Sequence, residues 1–213
     1  MLRLVPLLAL ALQAPPCRLS PADVGRAVMF GDTSGHAWEG PAGEMAGVRW
    51  YVRVPAGRRV VVKVHQAVLA LLDCSGRRLW QDVIGEIEQL RFQDVTGDRV
   101  PELVVTHKTG WGTGYLQLSV SVYAIGDSLA LLWRSIMEEH SWWDPAASGR
   151  WEPQTVVRFP RPGLIEQVGL RYKLQCGRDS CARTSLVPVR QFYSWNRRDS
   201  RFVLGKRGAQ LAT

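Results

Sequence analysis

The chain has 213 residues, 46% hydrophobic and 22% charged, with a formal net charge of +8. These fractions exclude a collagen-like, coiled-coil or wholly disordered chain, and the length suits one domain or at most two small ones. The charge is uneven: residues 1–170 hold 17 basic and 17 acidic side chains and residues 171–213 hold 10 and 2, so the excess lies in the last 43 residues.

The N-terminus places Arg3 before an apolar run from Leu4 to Leu12 broken only by Pro6. One basic residue followed by a short apolar stretch is the pattern of a secretory signal peptide, and the run is far short of the roughly 20 residues that span a bilayer. Ala9-Leu10-Ala11 supplies a cleavage pattern, and Ala14 a second. The resulting expectation is a secreted or periplasmic protein with a signal peptide over 1–14, a partly irregular segment over 15–47, one β domain over 48–207 and a tail over 208–213. No other segment is apolar enough to cross a membrane. Cys17 lies where a bacterial lipoprotein carries its lipidated cysteine, the alternative form of export, but Pro16 stands where that signal wants a small residue. Residues 20–29 suit a short helix with Ser20 as N-cap and Pro21 at its first position.

From residue 48 onward the pattern is β. Residues 48–54 and 59–64 are separated by Pro55-Ala56-Gly57, a turn signal. Residues 67–72 run into Asp73-Cys74-Ser75-Gly76 and resume toward Trp80. Residues 102–107 precede a glycine-rich stretch around Trp111. Residues 115–125 alternate apolar and small polar side chains, the period of a half-buried strand. Gly126-Asp127-Ser128 turns that strand back into 129–133, and later strands fall at 155–159, 164–174, 186–195 and 201–204. Residues 135–153, with Glu138-Glu139-His140-Ser141-Trp142-Trp143, read as a loop insertion. Evenly spaced strands with frequent Gly and Pro predict an all-β, antiparallel architecture. Three stretches also resemble one another: Leu71–Trp80, Val120–Trp133 and Phe192–Leu204 each place an aromatic beside a polar turn.

The four cysteines suit an oxidising compartment. Cys176 and Cys181 bracket a polar turn and can close a small disulfide loop; Cys17 and Cys74 then pair by elimination. A four-thiolate zinc site wants two close pairs, which Cys17 and Cys74 do not make.

Residues 94–105 place Asp94, Asp98 and Glu102 four apart, with Thr96 between the first two and an apolar strand following. This resembles the FG-GAP/VCBS repeat of integrin-α-like β-propellers and secreted bacterial proteins. The Leu-Trp hairpin before it, the Gly112-Thr113-Gly114 loop and Val122-Tyr123 after it, and the closing hairpin at 189–204 are similar too. The resemblance implies hairpins of a propeller type, either in open sheets or in a small, degenerate propeller. It also implies Ca²⁺ held by Asp94, Thr96, Asp98, the Val100 carbonyl and Glu102. Thr96, Arg99 and Glu102 depart from the family's Asp/Asn, Gly and Asp, and a metal-free turn whose carboxylates accept backbone N–H groups is the alternative.

Two functional classes follow. The first is an exported, non-catalytic binding or structural module of the cell envelope or extracellular space. Trp111, Trp142 and Trp143 are its candidate ligand-binding residues, because an exposed indole suits a sugar ring or partner surface. Its basic C-terminal strands suit an anionic envelope polymer, glycan or protein, and no nucleic-acid motif accompanies them. The second is a secreted hydrolase using Ser128 of Gly126-Asp127-Ser128-Leu129, or the Glu138–Asp144 stretch. Gly-Asp-Ser is also ordinary hairpin-turn chemistry, and no G-x-S-x-G, H-E-x-x-H or P-loop is present.

Overall fold

The structure, a computed structural model, describes residues 19, 44–45, 48–51, 59–64, 68–110, 114–142 and 144–205. The expected signal peptide, the 20–29 helix, Cys17, Trp111, Trp143 and the tail lie outside these residues. The fold is all-β and antiparallel. A five-stranded sheet is built from β1 (Glu44–Met45), β2 (Val48–Tyr51), β3 (Arg59–Val64), β4 (Val68–Asp73) and β5 (Arg78–Val83). An eight-stranded sheet follows with β6 (Glu86–Gln93), β7 (Glu102–Thr109), β8 (Tyr115–Ile125), β9 (Leu129–Ser141), β10 (Trp151–Arg161), β11 (Leu164–Cys176), β12 (Cys181–Asn196) and β13 (Arg201–Leu204). Each strand pairs with its sequence neighbour, so both sheets are plain meanders.

The eight-stranded sheet is nearly cut between β9 and β10. These strands share one register pair, Gln154↔Glu138, whereas β8 and β9 share eleven. Side chains hold the seam instead. Thr155 Oγ1 donates to the Met137 carbonyl at 3.0 Å, Gln167 Nε2 donates to the Ile136 carbonyl at 2.9 Å, and Ser135 Oγ donates to Gln167 Oε1 at 2.8 Å. About this seam, β10–β13 fold over β6–β9. One core joins those halves through Val104, Val120, Val122 and Trp133 on one side and Ile165 and Phe202 on the other. A second core joins Val61, Leu69 and Leu71 of the first sheet to Leu103, Val105, Tyr123 and Leu129. The result is three layers of meander, β1–β5 with five strands and β6–β9 and β10–β13 with four each, rather than a closed barrel or propeller, among the described residues.

The three similar stretches seen in the sequence are the last hairpin of each layer. Their aromatics join successive layers: Trp80 meets Tyr123 at 6.3 Å between ring centroids, and Trp133 meets Tyr193 edge-on at 5.2 Å.

Several strands differ from the sequence reading. β6 is missing from it because a bulge between Ile87 and Gln89 breaks the alternation, leaving Ile87, Leu90 and Phe92 to face the core. The expected insertion over 135–153 is a correction: β9 extends through Ser141 and β10 starts at Trp151, so the connection is confined to residues 142–150. The polar residues Glu138, Glu139 and His140 remain in a strand because partners from other strands satisfy them.

β13 covers β12 only over Tyr193–Asn196, which leaves the rest of β12 as a sheet edge among the described residues. Gly205 N–H donates to the Phe192 carbonyl at 2.7 Å, so the even-numbered residues of β12 turn their peptide groups to that edge. Pro188 is one of them and supplies no N–H, while Leu186 and Val187 beside it are exposed. An edge proline blocks strand addition. Pro188→Val should therefore raise self-association, read by light scattering and gel filtration; a variant as monodisperse as the parent protein would remove this role.

Candidate functional site

The Asp94–Glu102 loop joins β6 to β7. Asp94 Oδ1 accepts from Gly97 N–H at 2.7 Å and Oδ2 from Arg99 N–H at 3.1 Å. Asp98 Oδ1 accepts from Val100 N–H at 2.7 Å. Glu102 is buried; its Oε2 accepts from Val95 N–H at 2.6 Å and Thr96 N–H at 3.1 Å, and its Oε1 accepts from the Thr96 hydroxyl at 2.9 Å. Arg99 adopts φ +70°, the left-handed position the resembled family gives to glycine. Burial pushes the Glu102 carboxyl up, and the three donors oppose that shift. As arranged, the carboxylates accept N–H groups of their own loop, the arrangement of the metal-free turn. Among the described residues no group of three or more His, Cys, Asp or Glu side chains is placed to hold a metal.

Glu102→Ala strands two buried peptide N–H groups and should cost about 2–4 kcal/mol in urea unfolding. Glu102→Gln keeps a carbonyl acceptor and should cost much less. Calcium or EGTA should leave the melting temperature unchanged; a calcium-induced rise that Glu102→Gln abolishes would place the cation in the loop.

The second cluster lies where β9 ends. Trp142 is 48% exposed, and its indole stacks on the His140 ring at 5.7 Å and 7°. His140 Nε2 lies 3.0 Å from Glu138 Oε1, and Arg183 Nη2 lies 3.0 Å from the same ring nitrogen. Arg183, from β12, stands over the Tyr172 ring at 4.4 Å and also donates to Gln154 Oε1 and the Glu139 carbonyl. Its Nε lies 3.5 Å from Oε2 of the buried Glu152, whose Oε1 accepts from Ser141 N–H at 2.7 Å. Tyr115 donates to Glu139 at 3.1 Å; burial, then the Glu139 charge, push its phenol up to about 12. The Trp142 backbone is held from both sides: its N–H donates to Gly114 at 2.9 Å, and its carbonyl accepts from Cys181 N–H at 2.8 Å. Cys181 is disulfide-bonded to Cys176, closing the β11–β12 turn as expected. Cys74 is also in a disulfide; its expected partner Cys17 lies outside the described residues.

Sequence reading singled out Glu138, Glu139, His140 and Trp142 but found no partner for them. The missing partners, Arg183, Glu152, Tyr115 and Tyr172, come from four other strands, and no sequence spacing connects them. Ser128 sits in the β8–β9 turn, where Gly126 N–H donates to its carbonyl at 3.0 Å. The Gly-Asp-Ser segment is thus a hairpin turn, and among the described residues no histidine hydrogen-bonds the Ser128 hydroxyl.

A third feature was not legible at all. The first sheet ends at Val83, and the face of β7–β9 beyond it forms the floor of an open cleft of about 800 Å³. Gly85 makes the crossing at φ +96°, where a β-carbon would collide with the Lys108 carbonyl. Arg134 Nε donates to Ser121 Oγ at 2.9 Å, and Arg134 Nη2 to the Tyr123 hydroxyl at 3.1 Å. Ser121 Oγ lies 3.1 Å from His107 Nε2. Arginine can only donate, so the fully buried serine accepts from it, and a second hydrogen bond joins Ser121 Oγ to His107 Nε2. His107 Nδ1 lies near the Ile84 backbone but without a well-formed hydrogen bond. Serine and histidine have the spacing of a nucleophile and its base, but Ser121 has no accessible surface for a substrate.

Burial, with Arg134 adding to it, lowers the His107 pKa to about 4. The unfolded chain takes up this proton below about pH 6.5 and the folded chain only near pH 4, so stability falls as pH drops through that window. The total is on the order of 3 kcal/mol. Asp73, held down to about 2 chiefly by the Ser75 hydroxyl, contributes only at lower pH. The urea midpoint should fall between pH 7 and 4.5, and His107→Gln should flatten that slope; an unchanged slope would remove His107 as its source.

Comparison with known proteins finds no matching family model, no matching curated protein and no matching solved structure.

Proposed function

We propose that the protein is an exported, non-catalytic binding module of the cell envelope or extracellular space, and that it engages its ligand on the Trp142–His140 platform. The observation that carries this reading is an exposed indole stacked on a clamped imidazole. An aromatic face held in one orientation loses little entropy on binding and presents an apolar surface to a sugar ring or a partner's side chain. Arg183 is already paired with Glu152, and it is Arg171, Lys173 and Arg178 of the β11–β12 hairpin that favour an anionic glycan over a neutral one.

The signal-like N-terminus and the Cys176–Cys181 disulfide support export. The FG-GAP/VCBS-like residues support a module of that type, with layered hairpins serving as scaffold. The hydrolase alternative is weaker because Ser128 lies in a turn without a histidine partner.

Affinity electrophoresis in gels containing alginate, heparin or dextran tests the binding. Retardation by an acidic polysaccharide that Trp142→Ala reduces about tenfold is expected; equal migration of the variant and the parent protein would overturn the assignment. N-terminal sequencing of protein purified from its own host should begin after Ala11 or Ala14. Recovery with Met1 intact would overturn export.

A further inference from the structure

The open cleft and the Trp142 platform lie on opposite faces of β9. Ser121 pairs with Arg134 and Leu116 with His140, and residues 121 and 116 point to opposite sides of β8. The two sites are therefore separate.

We propose that the cleft binds a small anion, carrying a carboxylate or phosphate group, through the Arg134 guanidinium. Three observations lead there. First, the guanidinium is held before any ligand arrives: Nε is fixed on Ser121 and Nη2 on Tyr123, both neutral oxygens. Three N–H groups remain, two on Nη1 and one on Nη2, which is the fork that carboxylates and phosphates accept.

Second, no carboxylate among the described residues lies within ion-pair distance of Arg134. The acids that line the cleft, Asp82 and Glu86, make no ion pair with Arg134. Asp82, on the rim, accepts from its own neighbour Val83 N–H at 2.8 Å. Lys108 also lines the cleft but is paired with Glu88, and the Glu86 and Glu138 charges also act on it. His107 is neutral, so Arg134 is the cation there without an acid partner.

Third, neutral polar side chains lie with Arg134, beside the apolar Ile136, on the cleft floor. Thr109, Gln117 and Ser119 lie along it, with the Thr109 hydroxyl donating to Gln117 Oε1 at 3.3 Å. Such side chains supply further hydrogen bonds to an oxyanion without cancelling the arginine's charge. The cleft volume is in the range of small-molecule sites. A preorganised guanidinium without an acid partner, in a recess that offers further neutral hydrogen-bonding groups, is the chemistry of an anion site.

Calorimetric titration at constant ionic strength tests this, with citrate and inorganic phosphate as probes and glucose as the uncharged control. Saturable binding of one anion and not of glucose is expected, and the preferred probe distinguishes carboxylate from phosphate. Arg134→Gln should weaken that binding at least about tenfold, while Trp142→Ala leaves it unchanged. Should Arg134→Gln fail to fold, ¹H–¹⁵N spectra of the parent protein decide instead: citrate or phosphate should shift the Arg134 Nε–H and Gln117 side-chain amide signals. Lack of saturable binding, equal affinity in Arg134→Gln, or shifts confined to Arg171, Lys173 and Arg178 would overturn the proposal. Failure of the Trp142 platform to bind polysaccharide leaves this result untouched.

Discussion

The structure depends on one recurring contact, an aromatic side chain of one hairpin set against an aromatic of the next. Trp80 meets Tyr123, and Trp133 meets Tyr193. A single meander has two faces, and alone it would leave apolar side chains in water. Stacking three meanders buries the inner faces, and the aromatics join the layers where they meet. The middle layer consequently has an apolar residue set on each face. Leu103, Val105 and Tyr123 serve one core, and Val104, Val120 and Val122 the other.

The fold over the second seam places particular demands on polar residues. Peptide groups at β9–β10 are largely withdrawn from the ladder, and Thr155, Gln167 and Ser135 take up the carbonyls and each other. Glu152 and Arg183 extend the same arrangement to the end of β9. The Trp142 platform is thus built where the sheet bends, on a network that has structural work regardless of any ligand. Buried polar networks of this kind are stable only when nearly every group is satisfied. Removing Arg183 would leave the Glu152 charge buried without a counter-ion.

The cleft has a different origin. It exists because the first layer is shorter than the second: β5 stops at Val83 while β7, β8 and β9 continue past it. The exposed end of that face is polar, and the covered end is apolar. His107 and Ser121 sit at the boundary, close enough to the core to be buried and close enough to Arg134 to share a hydrogen-bond chain. A cation near the imidazole disfavours its protonation, so this boundary joins fold stability to acid sensitivity.

Much of the scaffold was readable from residue order. The strand at 115–125, the turn residues at 73–76 and 126–128, the Cys176–Cys181 loop and the three similar hairpins are local patterns, and local sterics and hydrogen bonding decide them. The half-burial expected from the alternation of 115–125 is a correction, because β8 is in the middle layer and Ser119 and Ser121 are buried as fully as Val120 and Val122. The acidic loop was readable as a loop, and its self-satisfied turn follows from short carboxylates beside free N–H groups. β6 escaped notice because one bulged residue shifts the pleat, and the polar end of β9 looked like a loop because its partners are distant in sequence. Tertiary structure alone decided that the meanders stack in three layers, that Arg183 clamps His140, and that Arg134 faces an open cleft. Those outcomes depend on which side chains meet after the sheet bends and where one layer ends over another, and pairwise geometry of that kind is not contained in any periodicity along the chain.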